Sequence, residues 1–203
     1  MYQRPIVGYH GCDLSVVEDV LLKDTPMKPS LNDYDWLGNG IYFWENGPDR
    51  ALAYAAAKQR REGGRSSIKK PAVLGAYLHL GRCFDLTDIW ATKQLRTQYN
   101  LMAKQFSAAG LTLPENKSGF IKDSDFVLRF LDCAVIQETV DDHDEQFPDK
   151  KIQTVRGIFT EGGETYPGAG FHLKTHVQVA VRDTSCILGF FKPKIDPVTK
   201  MRK

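Results

Sequence analysis

The sequence predicts a mixed α+β domain in which two packed, mainly antiparallel sheets are flanked by peripheral helices. Short runs of β-branched and aromatic residues near both ends of the chain predict the strands. Apolar residues at helical spacing predict helices in the middle, roughly 88–142. The 203 residues are close to the size of one large domain, so we expect a single domain over 1–203.

The composition is that of an ordinary globular protein, with 42% hydrophobic and 26% charged residues and a formal charge of only +2. Bulk charge therefore predicts neither a nucleic-acid nor a membrane partner. The four cysteines form no C-x-x-C pair, which argues against a zinc site and favours reduced thiols. No apolar run approaches the roughly 20 residues of a membrane span, and we expect a cytoplasmic protein without a bound metal.

The first element is a short strand over 6–9 that ends at His10 and Gly11. Ser15, with a glutamate three residues later, has the capping-box pattern and predicts a short amphipathic helix. The stretch 23–39 is rich in turn formers and too long for a simple connector. It is either a functional loop or a disordered one.

A strand-to-helix unit follows a glycine-built turn. Gly40 leads into an aromatic strand over 41–44, and good helix formers cover 50–58 after a proline near the first helical position. Tyr42 and Tyr54 lie at the two ends of this unit. Their rings either grip a flat polar group or belong to the core, and the tryptophans of the same unit are interpreted as structural.

The middle of the chain predicts a strand over 72–80 and two long helices. One helix is capped by Thr87 or Asp88 and ends at Gly110, and the other opens at Ser124. We expect most of the apolar side chains of these helices to be buried.

Two charged segments have several interpretations. The basic stretch 58–70 is either a solvated loop or a phosphate-binding patch. The acidic residues of 141–145, around His143, are interpreted as a solvated loop rather than a metal site, because no second ligand cluster complements them.

The last third predicts strands over 152–159, 177–182 and 187–191. The glycine-rich loop 161–176 carries Tyr166 at its crest. This loop either contacts a substrate, as such loops often do, or folds its tyrosine back onto the core.

Three pieces of the chain stand in an order typical of one enzyme group. They are Tyr9-His10-Gly11, then Gly40-Ile41-Tyr42-Phe43 with Tyr54 one helix later, and Gln178-Val179-Ala180-Val181 in a late strand. Together they resemble the H-Y-E signature of the diphtheria-toxin and poly(ADP-ribose) polymerase branch of the ADP-ribosyltransferases. The chain departs from that signature because Gln178 stands where the family has glutamate.

The resemblance implies an ADP-ribosyltransferase-like split antiparallel sheet with a helical insertion at roughly 88–142. It also implies NAD as co-substrate and no metal. By analogy, His10 holds the adenosine ribose, Gly11 the nicotinamide amide, and Tyr42 and Tyr54 sandwich the nicotinamide ring. The implied catalytic residues are His10, Tyr42 and Gln178, and the implied cofactor-binding residues are His10, Gly11, Gly40, Tyr42 and Tyr54.

The expected activity is transfer of a single ADP-ribose to a protein, RNA or DNA acceptor, with Tyr166 and Arg156 as acceptor-binding residues. Chain building is not expected, because a glutamine keeps a hydrogen bond to ribose but supplies no charge and no base. By analogy the protein is a toxin or phage-defence effector that an antitoxin restrains. The alternatives are a silent NAD or ADP-ribose binding module and an RNA 2′-phosphotransferase that uses Arg4, Arg156 and Arg182.

Overall fold

The computed structural model describes residues 5–62, 67–118 and 125–195. Its strands are β1 (Ile6–Asp13), β2 (Ile41–Glu45), β3 (Pro71–Leu78), β4 (Cys83–Asp85), β5 (Lys117–Ser118), β6 (Phe126–Leu128), β7 (Thr154–Phe159), β8 (His176–Val181) and β9 (Ile187–Phe191). Its helices are α1 (Leu14–Lys23), α2 (Pro48–Glu62), α3 (Ile89–Ala108) and α4 (Phe130–Gln146), with short 3-10 turns at Pro148–Lys150 and Thr184–Cys186. Within these described ranges, the mixed α+β prediction is confirmed.

Seven strands form one sheet in the order β4-β7-β8-β2-β1-β3-β9, and β5 and β6 form a separate ribbon. All neighbours in the large sheet are antiparallel except β4 and β7. The expectation of two packed sheets is therefore wrong. β1 and β2 join the two halves through only two residue pairs, Gly8 with Glu45 and Tyr9 with Trp44. Beyond Tyr9 the two strands are no longer paired, so the sheet is continuous but narrowly connected.

The two faces of the sheet bury different clusters, because side chains alternate along each strand. On one face Val155 and Ala180 pack with Ile136 and Val140 of α4. The opposite face carries a second apolar cluster: Ile41, Phe43, Ala76, Leu78, Leu80, Val179, Val181 and Cys186. The face beneath α4 carries the side chains of Tyr42 and Gln178, whereas those of His10 and Arg156 lie on the opposite side of their strands.

The start of β1 was predicted correctly, but its end was not. The strand continues to Asp13, so His10 lies inside it rather than at its end. Asp13, not Ser15, caps α1: its carboxylate accepts the backbone N–H of Ser15 and also the N–H groups of Lys69 and Lys70. The capping-box prediction is therefore wrong by two residues.

The two long helices fit the prediction unequally. α3 begins after Asp88, as predicted, although Tyr99 on it is exposed. α4 begins at Phe130, because Phe126–Leu128 pairs with Lys117–Ser118 as a strand instead of forming a first helical turn. The region 88–142, predicted to be helical, is thus partly β-structure, and Ser124 itself lies outside the described residues.

The acidic residues 141–145 belong to the last turns of α4, so the loop prediction is wrong. Asp141 pairs with Arg182 at 3.1 Å. Its neighbour Gln137, one turn earlier, accepts the backbone N–H of Asn39 at 3.1 Å. Helix α4 is therefore attached to the turn that precedes β2.

Three other predictions concern residues that lie partly or wholly outside the described ranges. In the basic stretch 58–70, α2 extends to Glu62 and residues 63–66 lie outside the described ranges. The same holds for Arg4 and for the chain after 195. β2, β3, β7, β8 and β9 lie within two residues of their predicted bounds, whereas β4 and β5 were not predicted.

Candidate active site

The pairing of β2 with β8 brings two of the predicted residues onto one face. Trp44 is directly opposite Gln178, and Tyr42 is opposite Ala180. Residues that face each other across antiparallel strands have their side chains on the same side. Tyr42 and Gln178 are therefore diagonal neighbours on the face beneath α4. On the other flank of Gln178 lies Gly157 of β7, a position without a side chain.

The Tyr42 hydroxyl is fully engaged. It donates to the carbonyl oxygen of Gly38 at 2.6 Å and accepts the N–H of Leu37 at 2.8 Å. Burial raises the pKa of this phenol well above its usual value, so the hydroxyl stays protonated. Gly38 has a φ of +73°, which favours glycine at this turn. The side chain thus holds the turn before its own strand and leaves only its ring to contact a ligand.

His10 reaches the same strand from the other side of the gap between β1 and β2. Its Nδ1 lies 2.8 Å from the carbonyl oxygen of Tyr42. A carbonyl only accepts, so Nδ1 carries the proton and Nε2 keeps a lone pair. Burial lowers the pKa of His10, with a smaller contribution from the positive charge of Lys58, and the imidazole is neutral at pH 7. The ring lies edge-on to Phe43 at 5.9 Å, so His10 contacts the Tyr42 backbone rather than its ring.

The two predicted glycines allow close backbone packing. A Cβ on Gly11 would collide with the carbonyl oxygen of Ala51, which shows how closely α2 packs on β1. A Cβ on Gly40 would lie 3.0 Å from the carbonyl oxygen of Val181. Packing alone therefore accounts for glycine at both positions, whatever else their backbones bind.

Tyr54 lies on α2, and the ring against it is Trp44 rather than Tyr42. The Trp44 and Tyr54 centroids are 5.0 Å apart at 45°. Within the described part of the chain, no ring contact joins Tyr42 to Tyr54. Trp44 is 4% exposed and was interpreted as structural, but it lies directly opposite Gln178.

The two predicted acceptor-binding residues lie in different places. Tyr166 is 60% exposed on its loop, so the alternative in which it folds back onto the core is wrong. Arg156 precedes Gly157 on β7 and therefore points to the opposite face from Gln178. Its guanidinium pairs with Glu45 at 2.7 Å and Asp85 at 3.1 Å.

The sequence did not reveal a buried charged cluster beside Gln178. Arg50 of α2 pairs with Glu161 at 2.6 Å, and Nδ1 of His176 lies 3.6 Å from the same carboxylate. His176 is two residues before Gln178, so both side chains are on one face of β8. That spacing was the one available signal, because Arg50 and Glu161 are 111 residues apart in the chain.

Aromatic side chains surround the cluster of Arg50, Glu161 and His176. His176 stacks on Trp36 at 6.1 Å and lies 5.7 Å from Phe159. The Arg129 guanidinium lies over the Trp36 ring, 4.3 Å from its centroid. Burial lowers the pKa of His176, and the nearby charge of Arg50 adds to this effect, so the ring is neutral at pH 7.

A depression of about 600 Å³ lies along α3, lined by Asn100, Ala103, Lys104, Ser107 and Ala108, and shares no residue with the Tyr42–Gln178 face. No group of three or more His, Cys, Asp or Glu side chains that could hold a metal ion is found among the described residues. None of the described helices is both long enough and apolar enough to cross a membrane.

Comparison with known proteins returned no match to this chain among protein-family models, curated proteins or solved structures.

Proposed function

We propose that the protein is a mono-ADP-ribosyltransferase with an ADP-ribosyltransferase-like fold, which cleaves NAD and transfers ADP-ribose to a macromolecule. The observation that supports this proposal most strongly is the arrangement around β2. The Tyr42 ring and the Gln178 amide are diagonal neighbours on one face, and His10 is hydrogen-bonded to the Tyr42 carbonyl. These are the three residues that the H-Y-E resemblance identifies.

In this reaction the bond between the ribose C1′ and the nicotinamide nitrogen breaks, and positive charge develops on the ribose. The acceptor then bonds to C1′ and releases its proton to water. Gln178 accepts a hydrogen bond from a ribose hydroxyl but cannot take up that proton. Rate is therefore lower than with a carboxylate, by about 10²–10³ if one charge-stabilising group is lost.

His10 supports the binding half of the proposal. Because Nδ1 donates to the Tyr42 carbonyl, Nε2 of the neutral ring is free to accept a hydrogen bond from a ribose hydroxyl. The Tyr42 ring offers an aromatic face that attracts the cationic nicotinamide ring.

The acceptor is a protein, RNA or DNA, and the exposed Tyr166 is the proposed contact on the loop after β7. In this proposal the protein acts as a toxin or defence effector under the control of an antitoxin protein. Arg156 contributes less than expected, because its guanidinium is already held by two carboxylates on the far face.

The test is to incubate purified protein with adenylate-labelled NAD and separated protein, RNA and DNA fractions of a cell extract. We expect nicotinamide release and label in one of the fractions. Gln178→Ala should reduce both, whereas Gln98→Ala, on α3, should change neither. If neither the protein nor its Gln178→Glu variant releases nicotinamide or labels any fraction, the proposal is overturned.

The second candidate is a silent NAD-binding module, favoured by the glutamine at 178. It predicts NAD binding without nicotinamide release in the same assay.

An RNA 2′-phosphotransferase needs free basic side chains, but Arg156 is paired with Glu45 and Asp85, and Arg182 with Asp141. These pairings disfavour it.

A further inference from the structure

Three buried polar atoms beside Gln178 lack a hydrogen-bond partner in the part of the chain that the structure describes. They are Nε1 of Trp44, Nε of Arg50 and Nε2 of His176. Trp44 is 4% exposed and His176 is 9% exposed. An unsatisfied buried polar group costs about 1–3 kcal/mol, so three together are not expected without a purpose.

The three atoms belong to one cluster. The Arg50 guanidinium lies 5.5 Å from the Trp44 ring centroid, and the Trp44 and His176 rings are 6.3 Å apart. Glu161 joins Arg50 to His176 from the other side. Gln178, which is 7% exposed, lies opposite Trp44, and its amide has no hydrogen bond to any residue described here.

The hydrogen-bonding character of each atom follows from its surroundings. Nδ1 of His176 lies 2.6 Å from the carbonyl oxygen of Lys174, so that nitrogen holds the proton and Nε2 is an acceptor. Trp44 Nε1 and Arg50 Nε are donors. The cluster thus offers two donors and one acceptor.

The charges of the cluster favour an uncharged hydrogen-bonding group on the ligand. Arg50 is neutralised by Glu161 at 2.6 Å, and neutral His176 adds no charge. A carboxylate has no hydrogen to donate to Nε2 of His176, and it would meet Glu161 in surroundings where charge repulsion is weakly screened. A hydrogen-bonding group that both accepts and donates fits better.

We propose that Trp44, Arg50 and His176 form a subsite for a primary carboxamide. The carboxamide oxygen accepts from Trp44 Nε1 and Arg50 Nε, and its NH₂ donates to His176 Nε2. The carboxamide belongs either to the nicotinamide end of NAD, in which case the subsite rests on the proposed function, or to an asparagine or glutamine side chain of a protein acceptor. All three atoms are shielded from solvent, and Arg50, whose side chain is 20% exposed, is the most accessible of the three residues.

The indole N–H resonances of the three tryptophans provide a direct test by NMR. Trp36 already donates to the Val127 carbonyl at 2.9 Å, and Trp90 is 58% exposed on α3, so both serve as internal controls. The probes are nicotinamide, nicotinic acid and the N-methylamide of N-acetylglutamine, in which the side chain carries the only primary carboxamide. We expect the Trp44 signal alone to shift, with nicotinic acid at least about tenfold weaker than the better amide.

The two amide probes distinguish the source. A shift with nicotinamide but not with the glutamine compound assigns the subsite to NAD, and the reverse assigns it to a protein acceptor. No shift of Trp44 with either amide, or equal binding of nicotinic acid, overturns the proposal.

Variants add a second measurement. Trp44→Phe keeps an aromatic ring and removes the donor, and His176→Phe removes the acceptor, so each should weaken amide binding about tenfold. Trp90→Phe and His79→Phe are the matched controls and should not change it. If the variants bind the amide as the unaltered protein does, the subsite is wrong even where nicotinamide release from NAD is observed. Amide binding without NAD cleavage keeps the subsite and rejects the transferase.

Discussion

The His10 imidazole donates a hydrogen bond to the backbone carbonyl of Tyr42 across the gap between β1 and β2. The two strands share only two residue pairs, and both pairs lie before His10. The His10 hydrogen bond therefore links the strands beyond the point where their backbone pairing ends. The same bond fixes the tautomer of His10 and leaves Nε2 free as an acceptor. One side chain thus has a structural and a proposed binding role, which substitution can separate.

We expect His10→Asn and His10→Ala to differ in stability. An asparagine NH₂ can replace Nδ1 as donor to the Tyr42 carbonyl, so the free energy of unfolding should fall by less than about 0.5 kcal/mol in His10→Asn and by about 1–2 kcal/mol in His10→Ala. Both variants lose Nε2 and should bind NAD about 3–10-fold more weakly. Denaturant unfolding and calorimetric titration measure the two effects. Unchanged NAD affinity in His10→Asn would remove His10 from the site.

The Tyr42 hydroxyl should contribute to stability rather than to catalysis. Tyr42→Phe leaves the Leu37 N–H and the Gly38 carbonyl without their partner, and we expect the free energy of unfolding to fall by about 1–3 kcal/mol. The ring face remains, so the affinity for NAD should change less than twofold. Tyr166→Phe is the matched control, because that tyrosine is 60% exposed and should cost less than about 0.5 kcal/mol. A large loss of NAD affinity in Tyr42→Phe would instead assign the hydroxyl to the ligand.

Stability should fall as the pH is lowered from 7 toward 5.5. Burial lowers the pKa of both His10 and His176 in the folded protein, so the unfolded chain binds more protons below its own histidine pKa of about 6.5. Their contribution is complete above that value and is lost as the pH falls toward the folded pKa. The loss is at most about 1.4 kcal/mol per histidine for each pH unit. Denaturant unfolding across this range measures it.

The matching control is the double variant His10→Asn with His176→Phe. Its free energy of unfolding should depend less steeply on pH between 7 and 5.5 than that of the unaltered protein. The same slope in both proteins would show that other groups cause the loss.

The strand-to-helix unit around Tyr42 was predictable because its pattern is local: a glycine turn, an aromatic strand and a proline at the helix start. The cap of α1 was not, because Asp13 and Ser15 are both capping residues. Asp13 is selected by contacts with the amides of Lys69 and Lys70, 56 and 57 residues away.

The same reason explains two other failures. Phe126–Leu128 becomes a strand only because Lys117–Ser118 lies beside it. Arg50 meets Glu161 through the packing of α2 on the sheet, and no local pattern announces a contact over 111 residues. Tyr42 and Gln178 were predicted as site residues because the H-Y-E resemblance includes them. Trp44 and His176 were not, since each is an ordinary core residue in its own segment.

We expect helix α4 to stabilise the conformation of the turn before β2. Gln137 Oε1 accepts two hydrogen bonds, one from the Asn39 N–H at 3.1 Å and one from the Arg182 guanidinium at 3.1 Å. In Gln137→Met the Asn39 N–H loses its acceptor, and we expect a loss of about 1–3 kcal/mol together with faster hydrogen exchange at Asn39. Gln98→Met is the control, because Gln98 contacts the Asp142 side chain rather than a backbone amide. Unchanged exchange at Asn39 would show that the turn holds its shape without the helix.

Glutamate at position 178 should change the pH dependence of NAD cleavage. A carboxylate opposite Trp44 keeps the hydrogen bond to ribose and adds negative charge where positive charge develops. Nicotinamide release by Gln178→Glu should therefore be faster than by the unaltered protein, by up to about 10²–10³-fold. The rate of the variant should increase with pH as the new carboxyl ionises, whereas the rate of the unaltered protein lacks this step. Gln178→Ala should be slower than both at every pH. If glutamate and alanine leave the release rate unchanged, the side chain does not face the ribose, because removal of its hydrogen bond and addition of a charge cannot both be without effect at the reacting carbon.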